Sequence, residues 1–299
     1  MLNFIESIVK LALVSCLISC SQGNRYSLDF ANDLLKPTKN NDRDFTHGTK
    51  FSADVPNSEG SATYAIGQNI YTPDNKQLTT PQPSKRPYAG WLYGEYDRHH
   101  IVTPDVQDSF GIIGGIVGPG SLAEQSQNGI HRLLGQKTAK GWNNQLHNEP
   151  GVILNAQREW AKHVTQNFDY KLEAGAEAGN VFTQALGGVR CRVGYNLPSQ
   201  FDNVDIIYPR RTFGVSTVSA FLYSGLYGRL VARNIFLDGN TFRDSQSVDK
   251  YPAVAEYRLG AVLEYQAYRA AYTYIIHTKE FTTDTWGNDF GEITLSVGW

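Results

Sequence analysis

Beyond its first 20 residues, the 299-residue sequence lacks any apolar run approaching the roughly 20 residues that a membrane-spanning helix requires. It also lacks a basic excess, because the net charge is -2, and this excludes a broad polycationic surface for nucleic acid. Mean hydropathy is only -0.37. Transmembrane β-barrels remain possible, since only alternate strand residues face lipid and average hydropathy stays low.

Cysteine is scarce, with three in the whole chain. Cys16 and Cys20 lie in an N-terminal segment where Lys10 precedes an apolar run of the length found in export signals. We predict that residues 1–20 are a signal peptide, with lipidation at Cys20 as an alternative because Leu17-Ile-Ser-Cys20 resembles a lipobox. Cys191 is then the only thiol of the folded part, which excludes an intramolecular disulfide.

Aromatic residues and glycine are abundant, with 17 Tyr, 14 Phe and 28 Gly. Segments of about ten residues alternate apolar with small or polar residues, most clearly at 170–177 and 189–195. Charged residues and glycine on the second face suit a barrel lumen better than a soluble sandwich. The final segment, 290–299, alternates in the same way and ends on Trp299, although an ordinary edge strand would also fit.

These patterns predict an all-β fold, a transmembrane antiparallel β-barrel formed by residues 21–299 as a single domain. About thirteen segments qualify as strands. A bacterial barrel has an even number, so we predict twelve.

One segment breaks the alternation. After Gly118-Pro-Gly120, the string Ser121-Leu-Ala-Glu124 matches a capping box, in which Ser121 caps a helix and Glu124 reaches back to its first amide. We predict a short inserted helix at 121–134, stopped by Gly135. Four polar residues share one stripe of this helix at spacing i, i+3, i+4 and i+7: Glu124, Gln127, Asn128 and His131.

His131 is the candidate general base, because imidazole can take a proton from water near neutral pH. Gln127, one turn earlier, could hold a ring nitrogen and fix the tautomer, as could Asn128. The alternative is an ordinary solvent-facing histidine.

Further candidates lie where strands are expected to end. Asn32 and Asp33 close the first strand, and Thr46 opens the second in Asp44-Phe-Thr-His-Gly48, so the three should meet at one rim with Thr46 facing inward. Asp33 could bind a hard cation, with Glu149 and Glu124 as weaker metal candidates. The alternatives are a plain turn for Asn32 and Asp33, an ordinary lumen hydroxyl for Thr46 and the capping role for Glu124.

Two cations, Lys85 and Arg86, precede the aromatic strand that contains Trp91, and they could bind phosphate or belong to an interfacial girdle. The sequence contains no Gly-x-Ser-x-Gly, His-Glu-x-x-His or Cys-x-x-Cys motif. Hydrolysis by an activated water is therefore the simpler hypothesis.

Several of these strings occur in the order found in one known family: Asn32-Asp33, Asp44-Phe-Thr-His-Gly48, Arg86-Pro-Tyr-Ala-Gly-Trp91, Gly118-Pro-Gly with Gln127 and His131, and Gly141-Trp-Asn-Asn-Gln-Leu-His-Asn-Glu149. They resemble the lipid A 3'-O-deacylase (LpxR-type) family. The resemblance is specific over residues 26–160. It implies a twelve-stranded barrel in the bacterial outer membrane that removes the 3'-linked acyloxyacyl group of lipid A and depends on calcium.

Carried over by position, the resemblance makes His131 the base, Gln127 its orienter and Thr46 an active-site hydroxyl. It places Asn32 and Asp33 at the metal and the oxyanion, and Lys85 and Arg86 on the substrate. Two positions depart from the family pattern: His47 stands where we expect Asn, and Lys137 lies where we expect a further acidic residue.

The partner that follows is lipid A, or lipopolysaccharide, in the outer leaflet, bound by a monomer. The competing hypotheses are a barrel that hydrolyses phospholipid and a non-catalytic pore or adhesin.

Overall fold

The chain forms a closed β-barrel in a computed structural model that describes residues 23–37, 44–198, 201, 218–284 and 287–298. The predicted signal peptide, Cys20 and Trp299 lie outside these residues. Twelve strands run in chain order: β1 Arg25–Asn32, β2 Asp44–Asn57, β3 Gly60–Thr72, β4 Ala89–Thr103, β5 Val106–Val117, β6 Glu149–Thr165, β7 Phe168–Gly179, β8 Phe182–Tyr195, β9 Val218–Asn234, β10 Ala253–Tyr265, β11 Tyr268–His277 and β12 Asp289–Gly298.

Each strand pairs antiparallel with its sequence neighbours, and β1 closes the barrel against β12 from Arg25↔Gly298 to Asn32↔Gly291. The prediction of a twelve-stranded barrel is therefore confirmed. Four connections at the end where β1 begins and β12 ends have two residues each: 58–59, 104–105, 166–167 and 266–267. Five of the six connections at the opposite end are long, the pattern of barrels whose short turns face the periplasm.

Helical segments interrupt these long connections. The helix α1 spans Ala123–Leu133 and the single-turn helix α2 spans Ile235–Asp238, with short 3-10 helices at Asp33–Leu35, Pro119–Ser121 and Trp142–Asn144. No helix in the described part of the chain is long and apolar enough to cross a membrane.

The two faces of the wall differ as the alternation predicts. Leu172 on β7 and Val193 on β8 are exposed on the outside. The residue before each of them faces the lumen, where Lys171 pairs with Glu159 and Arg192 pairs with Asp169. These lumen charges are paired, because a buried charge without a partner is costly.

An apolar cluster closes the lumen at the end with the long connections. Phe236 of α2 enters the barrel and stacks on Tyr71 of β3, with ring centroids 4.2 Å apart. The cluster is made up of Tyr71, Ala89, Trp91, Val117, Leu146, Ile153, Val181, Ile235 and Phe236. We call it the lumen plug.

Candidate active site

The helix α1 lies against the outside of the barrel wall. On β3, Tyr71 belongs to the lumen plug, so the alternating neighbours Ile70 and Thr72 point outward. Ile70 packs in one buried cluster with Ala123 of α1 and with Trp142. A side chain at Gly90 of β4 would collide with the start of this helical segment. Glycine is therefore required at position 90 for the helix to approach the wall.

The start of α1 differs from the sequence prediction. The hydroxyl of Ser121 donates to the carbonyl of Gly118 at 2.6 Å, and Ser121 ends a 3-10 helix. Leu122 precedes α1 with a left-handed φ of 59° and no side-chain cap. The capping box of Ser121 and Glu124 is thus wrong, because the Pro119 turn uses Ser121 before the α-helix begins.

The end of α1 matches the prediction. Gly135 has φ +68°, its amide donates to the carbonyl of Arg132, and the amide of Gln136 donates to the carbonyl of His131 at 2.8 Å. These two bonds form a Schellman motif, which reverses the chain after a helix. The reversal brings the carbonyl of Lys137 back to the ring of His131, and their Nδ1 to oxygen distance is 2.8 Å.

This bond fixes the tautomer of His131. A carbonyl oxygen can only accept, so Nδ1 carries the proton and Nε2 of the neutral ring keeps a lone pair. No other hydrogen bond reaches the ring from the residues that the structure describes, and the ring is half-buried. His131 is thus arranged to accept a proton at Nε2.

Gln127 and Asn128 do not orient this ring, which corrects the expectation for both. The Gln127 carbonyl oxygen accepts from the indole of Trp142 at 2.9 Å. Asn128 bonds both backbone groups of Ala139, at 2.8 Å and 3.1 Å. Both side chains are buried and hold the returning chain against α1, so the backbone of Lys137 takes the orienting role.

Asn32 and Thr46 meet at the strand ends, as expected. The Asn32 side chain caps the 3-10 helix by accepting from the amide of Leu34 at 2.8 Å, and it donates to the carbonyl of Thr46 at 3.1 Å. The Thr46 hydroxyl lies 2.6 Å from that of Thr72, on the outward side of β3. The expectation that Thr46 faces inward is therefore wrong.

A β-bulge explains the difference. The register between β2 and β3 shifts between Phe45 and His47, so Thr46 is the extra residue. As a result Phe45 packs inside the barrel, against Tyr71 and Phe290, rather than sharing a face with His47.

His47 is a second histidine beside Asn32, but both of its nitrogens are engaged. The amide of Asn32 lies 3.5 Å from Nδ1, and the hydroxyl of Thr49 lies 2.7 Å from Nε2. Because an amide nitrogen donates, Nδ1 accepts and Nε2 donates to Thr49. His47 thus has no open lone pair, in contrast to His131.

Asp33 is buried, with 3% of its surface exposed. Asp33 follows Asn32, whose side-chain amide donates to the carbonyl of Thr46, and carboxylate and amide oxygens suit calcium. Within the described residues, no group of three or more His, Cys, Asp or Glu side chains could hold a metal ion. Asp33 is the buried carboxylate at these strand ends that could serve the calcium implied by the resemblance.

The two weaker metal candidates lie elsewhere. Both oxygens of Glu149 accept hydrogen bonds, from Asn180 at 3.0 Å and from Asn240 and Thr241 at 3.0 Å and 2.8 Å. Glu149 begins β6, five strands along the wall from β1. Its hydrogen bonds join the β7–β8 connection to the β9–β10 connection. Glu124 lies in the first turn of α1.

The two candidate phosphate-binding cations occupy different positions. Lys85 pairs with Asp74 at 2.6 Å and is partly exposed. Arg86 is only 1% exposed, pairs with Glu280, and lies over the Tyr71 ring at 5.2 Å. Since Tyr71 faces the lumen, Arg86 lies on the inner side of the wall, and this contradicts its expected contact with substrate.

The ion pair of Arg86 also sets the protonation of Glu280, which lies in the connection before β12. Burial alone would raise the pKa of the Glu280 carboxyl, but nearby positive charges, above all Arg86, outweigh it. The pKa of Glu280 therefore lies below its ordinary value, and the pair stays charged.

The structure thus forms two groups of candidate residues: Asn32, Asp33 and Thr46 at the ends of β1 and β2, and His131 on α1 over β3 and β4. Neighbouring strands of the outer wall carry both groups.

The sequence did not reveal the roles of Lys137 and Trp142. A backbone acceptor leaves no side-chain signal, although Trp142 falls within one of the family strings.

Comparison with known proteins gives a family match and similar solved structures. The family described as "Outer membrane protein LpxR" matches residues 8–299. The solved structure of LpxR from Salmonella typhimurium is 22% identical, with a TM-score of 0.80, and the match covers 92% of this chain and 100% of that one. The beta domain of the Bordetella autotransporter BrkA is 9% identical over 93% of this chain and 100% of its own, with a TM-score of 0.49. No curated protein gives a match.

Proposed function

Because the chain belongs to the LpxR family of outer membrane proteins, we propose that it is a lipid A 3'-O-deacylase that uses His131 as its general base. The barrel lies in the bacterial outer membrane. The observation that carries the proposal is the hydrogen bond from His131 Nδ1 to the Lys137 carbonyl, which leaves Nε2 as a proton acceptor.

In the proposed reaction, Nε2 of His131 takes a proton from water, and the water oxygen attacks the carbonyl carbon of the ester at the 3' position. The carbon to oxygen bond of the ester then breaks. His131 returns its proton to the departing sugar oxygen, so the products are an acyloxyacyl acid and a free 3'-hydroxyl. The positive charge that develops on His131 is stabilised by the Lys137 carbonyl.

Asp33 and Asn32 are the residues that would hold calcium. When bound, calcium would supply positive charge for an oxyanion. The amide of Asn32 and the hydroxyl of Thr46 are polar groups at the same strand ends, and we assign them to positioning the ester.

The outer position of α1 supports a substrate that arrives from the membrane rather than through the lumen. A pore is disfavoured, because the lumen plug occupies one end of the lumen and paired charges lie in the interior beyond it. An ester-bearing lipid in the outer leaflet can instead reach the outer wall directly.

The test is mass spectrometry of lipid A from cells that express the chain or its His131→Ala variant. Loss of the 3' acyloxyacyl mass only with intact His131 is expected. Phospholipids from the same cells are analysed in parallel. Release of fatty acid from phospholipid with unchanged lipid A, from a folded barrel, would replace this proposal with a phospholipid hydrolase.

A further inference from the structure

The helix α1 buries two amide side chains and exposes leucines at its end. Gln127 and Asn128 are buried against the rest of the protein. Leu133 and Leu134, at the end of the helix, are 68% and 44% exposed. Exposed leucine side chains together with buried amides suit a helix whose end meets hydrocarbon rather than water.

The start of α1 packs on the lipid-facing side of the barrel wall. The helix lies over the outward faces of β3 and β4, the faces that also carry Tyr64, Ile66 and Tyr96. Those three side chains are all exposed and form part of the apolar band that contacts membrane lipid. Ile70 and Gly90 lie at the ends of β3 and β4 that face the long connections, so α1 begins directly beyond this band.

Positive charges accompany these leucines. Arg132 precedes Leu133, and Lys137 and Lys140 follow in the chain that returns to the wall, all three exposed. None of them forms an ion pair with another residue in the described ranges. Leucines that contact acyl chains, with cations at headgroup level, are typical of a segment that binds anionic lipid at a membrane interface.

We propose that the end of α1 and the turn after it, residues 131–137, form a docking surface for an anionic acylated glycolipid of the outer leaflet. Leu133 and Leu134 contact its acyl chains, and Arg132 and Lys137 contact its phosphates. This inference rests on the proposed function for the identity of the substrate. It assigns the phosphate contacts to residues beside His131, in place of the buried Arg86.

Photocrosslinking tests the contact without relying on activity. A benzophenone-bearing amino acid replaces Leu133 in the otherwise full-length His131→Ala protein, in outer membranes that contain lipopolysaccharide. Two controls carry the same group, in place of the lipid-facing Leu226 and in place of Glu59 in a two-residue turn at the opposite end. Lipid adducts are identified by mass spectrometry.

We expect adducts at 133 and 226, with the glycolipid enriched at 133, and none at 59. An equal glycolipid fraction among the adducts at positions 133 and 226 would overturn docking. The absence of lipid adducts at position 133, as at position 59, would also overturn it. Crosslinking in the inactive His131→Ala protein tests docking separately from the reaction. Glycolipid enrichment at position 133, combined with no deacylation by the wild type, would support docking and refute the proposed reaction.

Kinetics provides the second measurement. Leu133→Ala with Leu134→Ala should raise KM for membrane-embedded lipid A about tenfold with little change in kcat, because ground-state contacts are lost. Leu226→Ala with Leu230→Ala is the matched control on β9 and should leave KM unchanged. Arg132→Gln with Lys137→Gln should raise KM and weaken its dependence on salt. A fall in kcat alone in these variants would refute the docking role.

Discussion

The ring of His131 and the backbone carbonyl of Lys137 lie six residues apart in sequence and are joined by a 2.8 Å hydrogen bond. The bond depends on the path of the main chain, so it tolerates any side chain at position 137. The lysine that replaces the expected acidic residue therefore leaves the orientation of the base intact. Position 137 orients the base through its main chain, whereas a role in metal binding would require an acidic side chain there.

The first prediction concerns the base itself. His131→Ala should lower the rate of deacylation by about 10²- to 10⁴-fold, the usual contribution of general base catalysis. The barrel should remain folded, because the half-buried ring makes one hydrogen bond within the described part of the chain. Lipid A mass spectrometry gives the rate, and heat-modifiable migration on gels reports folding. The control is His163→Ala at the opposite end of the barrel, and equal loss of activity in the two variants would contradict the assignment.

The second prediction uses two glycines in and after α1. A side chain at Gly135 or at Gly129 would meet no atom within 4 Å, but only Gly135 has a positive φ, of 68°. Gly135→Ala should cost about 1 kcal/mol through backbone strain and should displace the Lys137 carbonyl, which lowers kcat. Gly129→Ala should stabilise the helix by up to about 1 kcal/mol and keep full activity. Unchanged kcat in Gly135→Ala would show that the turn does not position the base.

The third prediction separates Gln127 from catalysis. Its buried carbonyl accepts from the Trp142 indole, so Gln127→Ala and Trp142→Phe should each destabilise the docked helix by about 1–3 kcal/mol. The double variant should cost less than the sum, because the two residues share one interaction. Urea unfolding of the wild type, the two single variants and the double variant measures the coupling free energy between Gln127 and Trp142. Strict additivity, or a shift in the pH profile of kcat in Gln127→Ala alone, would restore Gln127 as the orienter of His131.

Much of the fold followed from local patterns. Alternation in segments such as 170–177 identified the strands, and their even number followed from closure of the barrel. Gly135 identified the end of α1 because glycine readily adopts the left-handed conformation there. These signals depend on residues close in sequence.

The errors share a different cause. The bulge at Thr46 adds one residue, and a single insertion reverses the alternation on its far side without any change in composition. Arg86 and Glu280 lie 194 residues apart, so no local pattern could show that they pair. The helix α1 begins at Ala123 because Leu122 before it adopts a left-handed conformation, which leucine rarely does. Each of these features is fixed by tertiary packing.

The fourth prediction concerns calcium. If Asp33 binds the ion, chelation should abolish deacylation without unfolding the barrel, and added calcium should restore it. Asp33→Asn should raise the calcium concentration required by about tenfold or more, because the charged ligand becomes neutral. Terbium luminescence measures ion binding independently of activity. Glu149→Gln is the control and should leave the calcium requirement unchanged, and full activity of the wild type in excess chelator would contradict a calcium site.

The last prediction concerns Arg86, which the structure buries beside Glu280 on the inner side of the wall. Arg86→Met should destabilise the barrel by about 3–5 kcal/mol at neutral pH, because it leaves a buried carboxylate without its main partner. KM for lipid A should stay unchanged. The double variant Arg86→Met with Glu280→Gln should recover part of the lost stability, and urea unfolding measures each step.

The pH dependence follows from the lowered pKa of Glu280. The Arg86 to Glu280 pair contributes stability above the unfolded pKa of about 4.3, and this contribution is lost as pH falls through the lower folded value. The stability gap between wild type and Arg86→Met should therefore be greatest at neutral pH and should shrink in acid. A variant as stable as the wild type at neutral pH but with a raised KM would show that Arg86 reaches the substrate after all.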